Sequence, residues 1–387
     1  MTEARRLPYE KIRYRATLTG LSPIHIGGGA PEPACRYAID EDTKTAYVLR
    51  ESFVASRYAE GRITGSEYHR RPSPASVVPK TEPERSEAVL YEVKAPRVAA
   101  SLDKEARPFV RNGFGQAFIP GTSIKGAIRE ALLFSLLVQD DRLRGEIAAS
   151  VRDLIAEMKK SNPQSANGIR RNRNHASRLE ELFRNPGAGG RADPKNDILR
   201  CMAVEDTPPD NRGFTLAAAN IFSLSGGVLA PMISQTRNGQ STRSAPVFLE
   251  FLDPGMSFPF GFTLDKALLE KLSPPMGKVQ FRNSVDIIGA LRDQADFTAS
   301  LESTFFSEFD SSGKLWKKEY EGAGLKENQA VIRIGWGCGW MGHSLFPLLC
   351  YSENDVAESP KSRKVLVSQN GNPLSLLGYA VLTLQEE

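Results

Sequence analysis

Cysteine is scarce in this sequence, and its few cysteines are not spaced for a structural role. The 387-residue chain has four, Cys35, Cys201, Cys338 and Cys350, and no two of them form a C-x-x-C pair. The stretch CGWMGHSLFPLLC adds His343 to two of these cysteines, but not at a spacing that zinc sites use. We therefore expect neither a structural zinc nor a disulfide framework, and we predict no cofactor.

Long apolar runs and a large charge imbalance are also lacking. No run reaches the ~20 apolar residues that span a membrane, and the first 18 residues hold no apolar signal core. We therefore expect a cytoplasmic protein without membrane contact. The hydrophobic content of 40% and the charged content of 25% are typical of a globular chain. The net charge is only +4, which by itself does not indicate a nucleic-acid partner.

The distribution of the charges is more informative than their sum. Lys and Arg outnumber Asp and Glu seven to four in residues 91–130 and eight to four in residues 167–200. Such stretches can form a basic path for an anionic polymer, although ordinary solvated surfaces give the same counts. Nucleotide-binding motifs are missing: the sequence has no G-x-x-x-x-G-K-[ST], and its clusters GGGA and GWGCG do not follow G-x-G-x-x-G.

The segment FGQAFIPGTSIKGAIRE, residues 114–130, places an apolar run, a Pro-Gly turn and a helical pattern in succession. The turn is expected to end a strand, and Thr122 or Ser123 is expected to cap the helix that follows. Gly126 lies inside this helix, although glycine costs roughly 1 kcal/mol there relative to alanine. We therefore expect another group to approach the helix closely at this position.

The start of this helix also carries two bases. Lys125 and Arg129 are four residues apart and share a face, and a helix start offers unpaired N–H groups and a partial positive charge. Two interpretations stay open from these residues alone. The helix start either binds a phosphate or belongs to a capped core helix with two solvated bases.

The order of the predicted elements is that of an α+β protein. We predict two α+β domains, residues 1–210 and 211–387, the first with a helical and loop insertion at about residues 139–197. The patterns predict strands in RYRATL, QAFIP, ILRCMAVEDT, GFTLAAANIFSL, APVFLEFLDPGMSFPFGFTL, NQAVIR and PLSLLGYAVLTL, a hairpin in CRYAIDEDTKTAYVLR, helices at 50–61, 124–160, 264–272 and 284–307, and a loop at 61–88.

Four segments together resemble a known family. They are LTGLSPIHIGGG, FIPGTSIKGAIREALL, ILRCMAVEDT and a late RIGWGCGW, and they resemble the RAMP superfamily of CRISPR proteins. Within it, the chain looks most like the subunit that caps the crRNA 3′ end in the type III-A (Csm) effector complex. The resemblance extends from about residue 14 to about residue 384.

This resemblance implies two RRM-like (ferredoxin-like) domains and a role in antiviral defence. It implies that the chain binds the 3′ part of the crRNA, close to target RNA, and that it supports crRNA maturation. The implied partners are a neighbouring RAMP backbone subunit, a small helical subunit and a host nuclease that trims the guide. The segment YEVKAPRVAASLDKEARPFVRNG is implied to include a thumb-like element that enters between nucleotides.

An RNA held along its backbone needs flat glycine loops, N–H donors, hydroxyls and cations. Trp336 and Trp340 flank the late glycines and either stack on a base or pack in a core or interface. The predicted RNA-binding residues are His25, Gly27, Gly28, Gly29, Arg97, Arg107, Arg111, Thr122, Ser123, Lys125, Arg129, Trp336, Gly337 and Gly339.

Catalysis is not expected, and His25 is the position on which that expectation depends. RAMP endoribonucleases that cut CRISPR repeats often use a histidine as general acid–base, so a metal-independent endoribonuclease using His25 is the alternative. The resemblance also implies a comparison with the repeated backbone subunit of the Csm complex, which cuts target RNA with an aspartate in the loop after its first strand. Here that loop reads GGGAPEPACRY, with Glu32 but no aspartate before Asp40, which argues against target cleavage.

Overall fold

The structure is a computed structural model, and it describes residues 11–65, 70–96, 102, 105–160, 179, 181–186, 192–225, 228–231, 233–235, 241–243, 246–272, 279, 281–309, 313–339, 345–349 and 362–387. The strands are β1 (Lys11–Gly20), β2 (Glu32–Pro33), β3 (Tyr37–Asp40), β4 (Thr45–Leu49), β5 (Val89–Lys94), β6 (Glu105–Arg107), β7 (Arg184–Pro186), β8 (Ala192–Asp197), β9 (Met202–Val204), β10 (Phe214–Ser225), β11 (Val228–Pro231), β12 (Ile233–Gln235), β13 (Ser241–Arg243), β14 (Val247–Leu252), β15 (Ser257–Asp265), β16 (Gln329–Arg333), β17 (Ser362–Val367), β18 (Pro373–Leu376) and β19 (Tyr379–Glu386). The α-helices are α1 (Glu51–Ala59), α2 (Pro74–Val77), α3 (Glu84–Ala88), α4 (Gly121–Gln139), α5 (Asp141–Lys160), α6 (Lys266–Leu272), α7 (Ser284–Phe309) and α8 (Phe346–Leu349).

A five-stranded antiparallel sheet, here called the helix-backed sheet, has the order β16-β19-β1-β15-β9. Along β1, Tyr14, Ala16 and Leu18 are buried and the residues between them are more exposed, as the period of two requires. The buried residues join one core with helices α4 and α7, whose rings Phe134 and Phe297 have centroids 5.3 Å apart. One face of this sheet is therefore covered by helices.

A ten-stranded sheet carries the remaining long strands. Its main path is β2-β6-β14-β10-β5-β4-β3, with β17 and β11 also paired to β10 and β18 paired to β17. The central strand β10 turns Phe214 and Leu216 into the shared core. Its other face, here called the outer face, carries a separate apolar cluster made of Ala217, Ala219, Leu249, Phe251, Leu366 and Leu377. Helices α1 to α3 cover a further apolar cluster around β3 and β4.

Both sheets contain strands from before and after residue 210, and the predicted domain boundary there stays a prediction. Strands β1 and β9 of the first half pair with β15 of the second half, with Lys11 opposite Asp265 and Phe262 opposite Val204. In the other sheet, β10 pairs with β14 but also with β5 of the first half. These long-range pairings build both sheets from both halves of the chain, which local sequence patterns do not indicate.

Most predicted elements are confirmed. They include the strand through Tyr14, the hairpin of β3 and β4, and the helices α1, α4, α6 and α7. The apolar face of α4 is also confirmed, because Ile124 and Ile128 are fully buried. The predicted long helix continues as α5 after a break at Asp140.

Four predicted elements differ from the structure. PLSLLGYAVLTL is not one strand but two, because β18 pairs with β17 in the ten-stranded sheet and β19 pairs with β1 in the helix-backed sheet. QAFIP is not a strand, because only a single bridge pairs Ala117 with Arg111. The predicted loop at 61–88 contains the short helices α2 and α3. ILRC forms a 3-10 turn before the short strand β9, since the Asp197 side chain accepts the Leu199 N–H and starts that turn. Within the described ranges, no helix is long and apolar enough to cross a membrane.

Candidate nucleic-acid interface

Two glycine-rich segments from opposite ends of the chain meet beyond the end of β1. The backbone N–H of Trp336 donates to the carbonyl oxygen of His25 at 2.7 Å. Gly335 lies so close that a Cβ on it would sit 2.3 Å from the same oxygen, and its φ of +79° also favours glycine. The predicted motifs SPIHIGGG and GWGCG therefore form one structural unit.

His25 lies at the centre of this unit and is buried. Its Nδ1 donates to the carbonyl oxygen of Glu250 at 2.8 Å, and its ring is enclosed by the rings of Phe109, Phe251 and Trp336, with centroids 6.0 to 6.4 Å away. Burial lowers the pKa of His25 to about 4, against the opposing effect of the Glu250 hydrogen bond. The imidazole is therefore neutral near pH 7.

The glycine triplet that follows His25 is exposed at the surface. Gly27 forms a bridge with Phe109, and the Gly28 N–H donates to the Pro108 carbonyl at 3.2 Å. A Cβ on Gly28 would lie 3.1 Å from the Phe109 carbonyl, whereas Gly29 has a φ of +129° and open space around it. This loop presents bare backbone beside residues 107–111, which suits the close approach of a nucleic-acid backbone.

A buried carboxylate, Glu250, holds this region together. It accepts hydrogen bonds from the Tyr91 hydroxyl at 2.7 Å, the Phe109 N–H at 3.1 Å and the Arg111 guanidinium at 2.9 Å. The Arg111 Nη1 also donates to the Gly115 carbonyl and to Asn211. Arg111 stacks over Tyr91 at 3.6 Å, and its side chain is only 7% exposed. The predicted phosphate contact from Arg111 is therefore corrected, because its donors point into the fold.

Arg107 and Lys364 lie on the outer face, close to the glycine loops. Arg107 pairs with Leu249, and Lys364 pairs with Ile221. Because Leu249 lies opposite Ala217 and β10 alternates its faces, both cations share one side of the sheet. The Lys364 Nζ lies 4.4 Å from the centroid of the half-buried Trp336 ring, and burial lowers the Lys364 pKa. One side of this ring thus has a cation partner, and base stacking by Trp336 stays a prediction.

The late glycines have different surroundings. Gly337 is buried, and a Cβ there would lie 2.8 Å from Leu377, while Gly339 is exposed with open space around it. Only Gly339 can therefore offer its backbone to an external molecule.

The start of α4 is organised around the protein's own chain. A Cβ on Gly121 would lie 2.2 Å from the Val204 carbonyl oxygen, so this glycine makes room for β9. The Asp206 carboxylate accepts the Gly121 N–H at 2.8 Å. The predicted cap by Thr122 or Ser123 is corrected, since neither side chain caps the helix. A carboxylate at this helix start also opposes the phosphate interpretation.

Lys125 is likewise directed inward. Its Nζ donates to the carbonyl oxygens of Leu199 and Met202 at 2.8 and 2.7 Å, and burial lowers its pKa. Its predicted phosphate contact is therefore corrected.

Arg129, on the same helix, places its guanidinium 5.1 Å from the Phe183 ring centroid. Gly126, where a close approach was predicted, is exposed and has no atom of the described chain within 4 Å of a Cβ position.

The comparisons with known proteins agree with this architecture. A family model of the RAMP superfamily matches residues 17–341. This chain belongs to the RAMP superfamily. Among curated proteins, none matches the chain.

Two solved structures have a similar fold. One is a chain of a Csm–crRNA–target RNA ternary complex of a type III-A CRISPR–Cas system, with a TM-score of 0.61, 18% identity and coverage of 96% of this chain and 100% of that one. The other is Csm5 of T. onnurineus, with a TM-score of 0.56, 18% identity and coverage of 94% and 99%. The RAMP protein described here therefore shares their α+β fold over nearly its whole length.

Sequence reasoning on this RAMP protein missed two residues of the site. Glu250 is a lone acid inside the apolar strand VFLEFL, and that interruption is a usable signal for a buried polar role. Lys364 lies in β17, where its neighbour Val365 is buried, but strand pairing was needed to bring it near Trp336. Arg97, Trp340 and His343 lie outside the described residues. Among the residues that are described, no group of His, Cys, Asp or Glu is arranged to hold a metal.

Proposed function

We propose that this RAMP protein is a non-catalytic crRNA-binding subunit of a type III CRISPR effector complex, which caps the backbone filament at the crRNA 3′ end. One observation carries the proposal. Exposed glycine backbone at Gly27 to Gly29 lies on the same unit as Trp336, beside the cations Arg107 and Lys364. The folds similar to it come from a Csm–crRNA–target RNA complex and from a Csm5 protein.

The proposed partners are those that the resemblance to the CRISPR family implies, and the two RNAs among them also occur in the similar Csm–crRNA–target RNA complex. They are crRNA, nearby target RNA, a neighbouring RAMP backbone subunit and a small helical subunit. A host nuclease would trim the guide beyond the capped end, so the protein would support crRNA maturation and antiviral defence. Two RRM-like domains remain part of this proposal.

The surface chemistry supports RNA held by its backbone rather than by its bases. Bare glycine backbone admits a phosphate or ribose at short range, and two cations supply sequence-independent attraction. Lys364 also carries its charge over an aromatic ring, an arrangement in which a base can add to the stack. Binding is therefore expected to tolerate changes of guide sequence.

The environment of His25 supports a non-catalytic role. A general acid–base must reach the reacting atoms and exchange a proton near the working pH. His25 is 1% exposed, its Nδ1 is engaged with Glu250, and its pKa is about 4. These properties fit a structural histidine better than the endoribonuclease alternative.

Binding and cleavage of a labelled crRNA, first without metal and then with Mg²⁺, test the proposal. Arg107→Gln/Lys364→Gln is compared with the wild type and with a control, Arg142→Gln/Arg282→Gln, whose side chains are 90% and 89% exposed. We expect weaker binding for the first pair only. In that pair, the slope of the logarithm of the binding constant against the logarithm of the salt concentration should be smaller in magnitude by about 1–2. Site-specific cleavage by the wild type, lost in His25→Ala, would establish the enzyme alternative instead.

The capping role has a separate test. Native mass spectrometry of the reconstituted complex is expected to find one copy of this chain, next to several copies of the backbone subunit. Several copies per complex would identify the chain as a backbone subunit and contradict the cap.

A further inference from the structure

The helix-backed sheet has a second face that the described helices leave exposed. On β1, Arg13 and Arg15 alternate with the buried Tyr14 and Ala16, and both arginines are exposed. On β15, Pro259 is likewise exposed between buried neighbours. A face of this kind, opposite a helical layer, is available to another molecule.

This face forms a groove of about 700 Å³ across three neighbouring strands. The floor is β15, where Gly261 has no side chain. One wall is β1, with Arg13 and Arg15, and the other is the chain at and after β9, with Glu205 and Asp206. Because adjacent strands lie about 4.8 Å apart, the backbones of the two walls are about 10 Å apart. This separation fits one extended segment but not a helix, which with its side chains is about 10–12 Å across.

The two walls carry opposite charge at the same level of the groove. Arg15 pairs with Gly261 across the sheet, and the Glu205 N–H donates to the Gly261 carbonyl at 2.9 Å. The Glu205 carboxylate lies over Gly261, since a Cβ there would be 2.4 Å from it. The ion pair of Arg15 is with Glu387, at 3.8 Å on its other side, so the two walls face each other without a bridge between Arg15 and Glu205.

This charge pattern selects among possible occupants. An RNA strand is uniformly anionic, so it would be attracted by the β1 wall and repelled by the opposite wall. A protein segment with acidic side chains on one side and a basic side chain on the other would satisfy both walls. The pattern therefore favours protein over RNA, in contrast to the glycine loops.

We propose that this groove docks a segment of a neighbouring protein subunit, with acidic side chains toward Arg13 and Arg15 and a basic side chain toward Glu205. The identity of the neighbour as a subunit of the same effector complex rests on the proposed function. The groove would thus separate assembly from RNA binding, because the cations assigned to RNA, Arg107 and Lys364, lie on the ten-stranded sheet.

Reconstitution with the neighbouring RAMP backbone subunit and crRNA tests this proposal. Arg13→Glu/Arg15→Glu and Glu205→Arg each reverse one wall, while Arg142→Glu/Arg282→Glu reverses two exposed arginines outside the groove. We expect each wall reversal to weaken assembly at least tenfold and the control to leave it unchanged. Binding of crRNA by the isolated chain should stay within twofold of wild type for all three. The milder Arg13→Gln/Arg15→Gln keeps the test valid if a reversal lowers the melting temperature.

The outcomes separate the two proposals. If the wild type does not assemble with the backbone subunit and crRNA, the proposed function and the docking inference both fail. If it assembles and the wall reversals assemble equally well, only the groove proposal is overturned. If Arg13→Glu/Arg15→Glu loses crRNA binding in the isolated chain, the groove binds RNA, which also overturns it.

Discussion

At the end of β1, glycines leave the backbone open to the outside, whereas at the start of α4 a glycine makes room for another part of the same chain. Gly27 to Gly29 are exposed, and Gly29 has open space around it. Gly121 instead receives the Val204 carbonyl, and Lys125 beside it donates to two further carbonyls. Both regions read in the sequence as glycine next to polar residues.

The difference lies in what supports each region from beneath. The open loops rest on a buried polar network around Glu250, which fixes His25 and residues 109–111. The closed helix start has its own acid, Asp206, as a cap. The glycine loops that leave their backbone open are therefore held in place by buried polar groups beneath them. At the start of α4, by contrast, the protein's own chain already uses the available hydrogen-bond donors.

The largest effect is expected from breaking the buried network around Glu250 that supports the open loops. Glu250→Gln keeps the side-chain shape but leaves Arg111 buried without a charge partner. Removing one member of a buried pair costs about 3–5 kcal/mol, so urea unfolding should show a loss of that size. The matched control is Glu92→Gln, since Glu92 pairs with Arg85 at the surface and its loss should cost less than about 1 kcal/mol. Equal losses for the two variants would contradict the role assigned to Glu250.

The buried His25 makes the free energy of unfolding depend on pH. The pKa of His25 is about 4 in the fold and 6.5 in the unfolded reference, so the unfolded state binds more protons between these values. Stability is therefore complete above about pH 6.5 and is lost as the pH falls toward 4, by up to about 3 kcal/mol. Unfolding measured at pH 7.5, 6 and 5 should show a smaller loss in His25→Gln than in wild type. Parallel curves would mean that the pKa of His25 is not lowered in the fold.

Sequence patterns were sufficient for the elements whose residues repeat with one period. The strand through Tyr14 and the helix α4 were found because one face of each is buried. The pairing of strands into sheets was not predictable in this way, because β1 pairs with β15 across more than 200 positions of the chain. Local spacing does not record such partners.

The candidate site was predictable only in part, for the same reason. Glycine motifs marked the right loops, but polar type alone did not tell whether a side chain points outward or inward. Arg111 and Lys125 have the same character in sequence as Arg107, yet their donors are used by Glu250 and by backbone carbonyls. That distinction depends on groups from distant segments.

The closed helix start can be tested through its two glycines. Gly121→Ala puts a methyl group 2.2 Å from the Val204 carbonyl, so β9 or α4 must shift, at a cost of about 2 kcal/mol. Gly126→Ala in the same helix meets open space and should raise stability by up to about 1 kcal/mol. Urea unfolding of the two variants should therefore give changes of opposite sign. The same sign in both would show that the space around Gly121 is not set by β9.

The smallest expected change in stability comes from replacing a lysine in each region. Comparing Lys125 with Lys364 separates the two regions directly, because the same kind of side chain is removed from both. Lys125→Met removes an ammonium that donates to the Leu199 and Met202 carbonyls, while its length and apolar stem are kept. Stability should fall by about 1–2 kcal/mol, but crRNA affinity should stay within twofold of wild type, since the ammonium is already satisfied by the chain. Lys364→Met on the outer face should give the reverse result, with unchanged stability and weaker, less salt-dependent RNA binding. A loss of RNA affinity in Lys125→Met without a loss of stability would place RNA at the start of α4 after all.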